Sequence, residues 1–102
     1  SREENLVSEL GIFAVDLTEQ LRQQVGHVRQ DPGGALVAAR PADGPVLEDG
    51  FKAGDVIYSV NRTALDSVAT LRGLLKKLKS GDALALQVER NGKLRFISFE
   101  LP

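Results

Sequence analysis

One histidine, His27, is all that this 102-residue chain offers for imidazole chemistry, and it contains no cysteine. A hydrolytic triad needs a nucleophile, a base and an orienting acid within hydrogen-bond reach. His27 stands in the turn-rich run HVRQDPGG, and no serine in a nucleophile-elbow context lies near it in sequence. A solvent-exposed loop imidazole is the favoured reading. A metal site fares no better, because a single histidine with scattered carboxylates gives no ligand spacing. Asp43, Glu48, Asp49 and Asp55 cluster in sequence but lack the alternation of a calcium loop, so turn and cap roles are expected for them. No glycine-rich phosphate cradle of the GxxxxGK or GxGxxG kind is present. The residue types point away from catalysis, and no cofactor or metal is expected.

Composition narrows the remaining classes. The chain is 42% hydrophobic and 26% charged, with a formal net charge of −1. That is an ordinary globular mix with no electrostatic footprint for nucleic acid and no polybasic membrane signal. No apolar run approaches the length needed to span a bilayer. No signal peptide is read at the start, a segment that a mature chain has lost. The absence of cysteine fits an oxidising compartment and cytosol equally.

The elements that must carry any site follow from periodicity. The polar run SREENLVS, residues 1–8, reads as a linker or a remnant outside the domain, and residues 9–102 read as one domain. Residues 10–15 form a strand. Asp16 and Glu19 have capping-box spacing, and Leu17, Leu21 and Val25 recur every four residues until Gly26, which makes a short amphipathic helix of DLTEQLRQQV. GALVAAR (34–40) is a second buried strand, PVLEDG (45–50) one helical turn, and AGDVIYSVN (53–61) a turn and a β-branched strand. NRT (61–63) makes a tight turn. A helix begins near Asp66 or Ser67, with Leu71, Leu74, Leu75 and Leu78 as its apolar stripe and Arg72, Lys76, Lys77 and Lys79 on a solvated face. Leu84, Leu86 and Val88 alternate with Ala85, Gln87 and Glu89 in a half-buried strand, and Asn91-Gly92 marks a hairpin into KLRFISFELP. Five or so short strands and two helices indicate a small α+β sandwich or partly open barrel.

Gly11 poses a question within that scheme, because glycine at the head of a buried strand marks a bulge or the close approach of another backbone. Three stretches bear on it: Leu10-Gly11-Ile12, the run DGFKAGDVIYSVN (49–61), and the SVATLRGLL helix that leads to an LxLxVxRNGK hairpin. Together they resemble the PDZ domain, and specifically the circularly permuted bacterial kind of the HtrA/Deg (DegP-like) serine proteases. The run LTEQLR after the first strand looks like a second PDZ domain of these enzymes. Arg62 departs from the pattern, which usually has glycine after the asparagine, and Asp49 replaces a small residue.

The resemblance implies a peptide-binding module with about five to six strands and two helices, and a periplasmic or extracytoplasmic location. Backbone N–H groups around Leu10, Gly11 and Ile12 would then converge on a terminal carboxylate as an anion nest. The strand Ile12 to Val15 would be an unpaired edge that a ligand completes. Leu10, Ile12 and Ala14 share one face under the ligand, and Val68, Leu71, Arg72 and Leu75 form the facing helix wall. Phe13 lies on the opposite face, as core or as a contact for alternate ligand positions. The apolar wall predicts a hydrophobic C-terminal residue, and Arg72 a preference for an acidic or polar residue upstream. Plain core packing remains the competing reading for the apolar members. The expected partners are peptide or unfolded-protein C-termini and the protease domain of a parent serine endopeptidase. The rivals are a spacer or oligomer contact with an unused groove, and a PDZ module of a secretion-system or intramembrane protease component. Gly11→Val is expected to abolish binding with modest loss of stability.

Overall fold

A computed structural model describes residues 2–26, 34–40 and 50–102. In chain order the described elements are α1 (Arg2–Asn5), β1 (Leu6–Val7), a 3-10 turn (Ser8–Leu10), β2 (Ile12–Asp16), α2 (Glu19–Val25), β3 (Ala35–Ala39), β4 (Val56–Val60), β5 (Thr63–Ala64), α3 (Val68–Lys76), β6 (Ala83–Arg90) and β7 (Lys93–Glu100). The strands form one open antiparallel sheet in the order β1-β2-β3-β4-β6-β7, with β5 paired to β4. The α+β class expected from the sequence is therefore present, and the expected sandwich or partly open barrel is an open sheet that does not close into a barrel. The strand and helix counts exceed expectation because two strands are only two residues long and α1 is a single turn.

Both faces of the sheet are covered. The main core joins Leu10, Ile12, Ala14, Ile57, Leu71, Leu75, Leu84, Leu86 and Val88, with α3 laid across it. A smaller cluster of Leu36, Val56 and Tyr58 is roofed by Leu17, Leu21 and Val25 of the α2 segment. β4 serves both clusters by alternation, Val56 and Tyr58 on one face and Ile57 on the other, and its register with β6 shifts between Ile57 and Ser59. A bulge of this kind resets the alternation of faces, so Ile57 and Val60 both reach the main core although they are three residues apart. The same strand pair corrects the reading of Glu89 as an outward residue. Glu89 is 2% exposed, and its carboxylate accepts a short hydrogen bond from the buried Tyr58 hydroxyl.

Tight turns agree with the sequence where their chemistry was explicit. Asn91 and Gly92 both have positive φ, as a two-residue hairpin between Arg90 and Lys93 requires. Asn61 and Arg62 do the same between Val60 and Thr63, with φ of 47° and 73°. Arg62 thus occupies a left-handed position that glycine would fill without strain.

Two signature residues are clasps rather than ligands. Asp55 is fully buried and receives Arg90 bidentately, Nε to Oδ1 and Nη2 to Oδ2, both at 2.7 Å. The same Oδ2 accepts the Lys52 N–H at 2.8 Å, and Arg90 also donates to the Gly50 carbonyl at 3.0 Å. Asn61 accepts the Ala85 N–H at 2.8 Å and donates to the Ala83 carbonyl at 3.2 Å. Asp55 therefore has the turn role expected of it. His27, Asp43, Glu48, Asp49 and the 45–50 helical turn, apart from Gly50, lie outside the described residues.

Candidate peptide groove

The 3-10 turn Ser8–Leu10 ends on Gly11, whose φ of 65° and ψ of 38° are left-handed and whose N–H donates to the Ser8 carbonyl at 3.1 Å. This is the physical requirement for glycine at the head of β2. A β-branched side chain there meets backbone strain of about 1–3 kcal/mol as well as a buried surrounding. The modest stability loss expected of Gly11→Val thus has backbone strain as its first source.

From Gly11, β2 runs beside α3. Leu10, Ile12 and Ala14 are 4%, 0% and 0% exposed and share the core face, as alternation predicts. Phe13 points to the other face and is half-buried. On the helix, Ser67 caps the N-terminus by accepting the Thr70 N–H at 3.0 Å, and Val68, Leu71 and Leu75 face the sheet, all buried. Arg72 is half-buried on the same broad face. Of the nine residues expected at the groove, seven lie on β2 and α3, and Leu10 and Gly11 lie in the turn that leads into β2.

Asp16 fixes the spacing between those elements, and the sequence reading had placed it differently. Thr18, not Asp16, caps α2, accepting the Leu21 N–H at 3.2 Å. Asp16 ends β2, and its Oδ1 accepts the Val68 N–H at 2.8 Å across 52 residues of sequence. A carboxylate at the first amide of a nine-residue helix is favourable both as an acceptor and as a counter-charge to the helix dipole. Capping-box spacing to Glu19 concealed this, because a local pattern cannot report a partner on another element.

The edge of β2 is not free, contrary to expectation. β1 pairs with it antiparallel, Leu6 opposite Phe13 and Val7 opposite Ile12. Val7 is 1% exposed and joins the buried cluster of Leu10, Ile12, Leu71 and Leu75, while Leu6 points outward at 37%. Arg72 donates to the main-chain carbonyls of Glu4 and, at 2.8 Å, of Leu6. It is therefore not a member of the solvated basic face, unlike the exposed Lys76, Lys77 and Lys79. Beyond the short strand, a cavity of about 240 Å³ remains open between Val15 and Asp16 of β2 and Val68, Ala69 and Arg72 of α3.

Elsewhere the surface is less suggestive. A cleft of about 540 Å³ lies near α2 and the β6–β7 turn, where Asp55 and Arg90 of its lining are committed to each other. Among the described residues no group of three or more His, Cys, Asp or Glu side chains could hold a metal. No described helix is long and apolar enough to cross a membrane. The C-terminal tail is committed to its own domain. Leu101 is buried in the main core, its N–H donates to the Asp82 carbonyl at 2.9 Å, and its carbonyl accepts from Gly81 at 2.8 Å.

Comparison with known proteins agrees with this geometry. The profile of the PDZ domain family matches residues 8–101. The chain belongs to the PDZ domain family. Among curated relatives, a probable periplasmic serine endoprotease DegP-like of Halomonas elongata is 35% identical over 89 residues, covering 87% of this chain and 18% of the relative. A probable serine protease do-like of Buchnera aphidicola is 34% identical over 93 residues, 91% of this chain and 19% of the relative. The chain thus spans about a fifth of the length of these relatives. Among solved structures, the HtrA-type protease AlgW with decapeptide superposes with a TM-score of 0.74 at 25% identity, covering 90% of this chain and 28% of that one. The HtrA3 PDZ domain bound to a phage-derived ligand (FGRWV) has a TM-score of 0.70 at 23% identity, over 91% and 84% of the respective chains. The latter likeness is one of fold. The resemblance to DegP-like PDZ domains read from the sequence is thereby borne out.

Proposed function

We propose that this PDZ domain captures peptide segments as an added strand between β2 and α3, with a hydrophobic C-terminal residue over Leu10, Ile12, Leu71 and Leu75. The observation that carries the reading is the Leu6–Val7 pairing itself: the β2 edge takes an antiparallel strand, and a small apolar side chain from that strand is buried beneath α3. A ligand running in the same direction ends at the Leu10–Gly11–Ile12 turn, where its carboxylate would compete with the Ser8 carbonyl for the Gly11 N–H. Main-chain pairing supplies sequence-independent affinity, and the apolar wall supplies selectivity. The chain is periplasmic, in keeping with the names of its curated relatives. It serves as a second PDZ domain in a DegP-like serine endopeptidase, presenting substrate to, or regulating, a protease domain that carries the catalysis.

Calorimetric titration with decapeptides ending in Val, Leu, Ile or Phe, each as free acid and as amide, tests this. Binding in the micromolar range, about −8 kcal/mol, that is lost on amidation is the expected result. Binding indifferent to amidation replaces C-terminal recognition with capture of internal strands. No binding by either form refutes the reading.

A second reading, a spacer or oligomer contact, draws on one specific feature. β7 is the strand at the far end of the sheet from the groove, and on it Leu94 and Phe96 are 42% and 66% exposed. Two exposed apolar side chains two residues apart on a terminal strand suit a protein contact. Sedimentation of the chain and of Phe96→Ser distinguishes this role: an assembly that Phe96→Ser disperses supports it, and a monomer at every concentration excludes self-association.

A further inference from the structure

The groove already contains a strand of this chain, and that strand has the attributes of a ligand. We propose that residues Glu4–Val7 act as a built-in pseudo-ligand, so that an external peptide enters only by displacing them. The inference rests on the peptide-groove reading above and adds its regulation.

Four observations carry it. The direction is that of a ligand read on this edge: β1 is antiparallel to β2, and its C-terminal residue, Val7, lies nearest the glycine turn. Alternation puts Val7 inward, at 1% exposure among the apolar residues assigned to a ligand's last side chain, and Leu6 outward. Arg72 of the helix wall is spent on the main-chain carbonyls of Glu4 and Leu6, the first of them at the carbonyl end of α1. Finally, the contact is short. Only Leu6 and Val7 pair with β2, opposite Phe13 and Ile12, while Val15 and Asp16 border the 240 Å³ cavity, across which Glu4 and Asn5 lie without pairing to β2. A longer peptide can pair along more of β2 and use that space, so it has contacts that the two-residue strand lacks.

Two residues of pairing and one buried valine make a clamp of limited strength, suited to exchange. The apparent affinity of an external peptide is its intrinsic affinity reduced by the fraction of molecules whose groove is open. Loosening the clamp therefore tightens external binding, the reverse of what a mutation in a supporting core residue does.

The test uses the whole chain and a free-acid decapeptide ending in valine, followed by NMR and calorimetry. Without peptide, the Val7 amide is expected to exchange slowly, Leu6 to show strand-like shifts and the Arg72 guanidinium to be ordered. On saturation, the 4–7 segment is expected to move to random-coil shifts. Val7→Ser is expected to bind the peptide about tenfold tighter, as for a groove roughly nine-tenths self-occupied. Where Val7→Ser fails to fold, Leu6→Gly loosens the same strand from its exposed position and is expected to shift affinity in the same direction. Random-coil behaviour of residues 4–7 in the free chain overturns self-occupancy and leaves peptide capture standing. So does peptide binding that leaves Leu6 and Val7 unmoved. If neither the original chain nor the loosened variants bind any peptide, while the Val7 amide stays protected, peptide capture is refuted and the pseudo-ligand role with it.

Discussion

The Asp55–Arg90 pair sets a quantitative test of what holds the domain together. Asp55 has 1% of its side chain exposed and Arg90 14%, with two charge-assisted bonds of 2.7 Å between them. Asp55→Ala removes both, and with them the acceptor for the Lys52 N–H. It leaves a mostly buried guanidinium that has lost its counter-charge and still donates to the Gly50 carbonyl. Breaking such a pair from one side costs about 3–5 kcal/mol. For a domain whose total stability lies near 5–15 kcal/mol, that is a large share. At about 4–8 °C per kcal/mol for a chain of this size, the melting temperature falls by roughly 12–40 °C. Thermal and urea unfolding followed by circular dichroism measure the two quantities. Asp55→Leu combined with Arg90→Met should lose less than either single change, because both desolvated charges leave together. A loss below about 1 kcal/mol for Asp55→Ala, the range of a solvent-exposed pair, refutes the assignment of this clasp as a main stabiliser.

Other outcomes follow from single positions. Arg62→Gly relieves a left-handed residue in the Asn61–Arg62 turn at some gain in unfolded-chain entropy, so stability should rise by about 0.5–1 kcal/mol in the same unfolding assay. Asp16→Ala should cost about 1–2 kcal/mol and weaken peptide binding by unclasping β2 from α3, while Asp16→Asn, which keeps an acceptor for the Val68 N–H, should cost less. The Asp66 carboxyl lies below its ordinary value of 3.8, held there first by the Thr70 hydroxyl and then by the Ser67 hydroxyl. Because the folded-state value is the lower one, this interaction favours folding fully above the ordinary carboxylate range and loses that effect as pH falls through the depressed value. Carbon-13 titration should show Thr70→Val moving Asp66 back up, and an unmoved Asp66 would contradict the hydrogen-bond cause.

How much of this was legible beforehand depended on whether the deciding physics was local. The α3 stripe of Leu71 and Leu75, the Asn91-Gly92 hairpin and the Leu10-Ile12-Ala14 face all follow from short-range periodicity or turn chemistry, and each stands where the sequence put it. Asp16 and Glu89 were misread because each is governed by a partner far away in sequence, the Val68 amide in one case and the Tyr58 hydroxyl in the other. Glu89 lies on the face that alternation assigns it, and what the pattern did not show is that this face also carries the buried Val56 and Tyr58. The first eight residues were the largest gap. REEN is polar and reads as a linker, and two residues are too few for a strand period to register. The only available signal was the β-branched Val7 placed just before the turn, beside an outward-reading Leu6.

That gap lies at the functional surface for a physical reason. A groove that reads main chain presents backbone edges and apolar side chains, and neither differs in sequence from ordinary core. The family signature marks the scaffold instead: Asp55 and Asn61 close turns on β6 and never touch the groove. Signature residues can therefore identify the fold while saying nothing of whether the groove is vacant. Vacancy is decided by whichever strand reaches β2 with the right direction and an inward apolar residue. In this chain Leu6 and Val7 meet both conditions, and Arg72 binds their carbonyl side in the way it could bind a peptide's. Selectivity and self-occupancy are consequently properties of the same few contacts. A substitution that widens the pocket at Leu71 or Leu75 weakens the internal strand together with the external one, so peptide affinity alone cannot separate the two effects. The exchange rate of the Val7 amide, read in the absence of peptide, responds only to the internal strand, and it is the quantity that separates them.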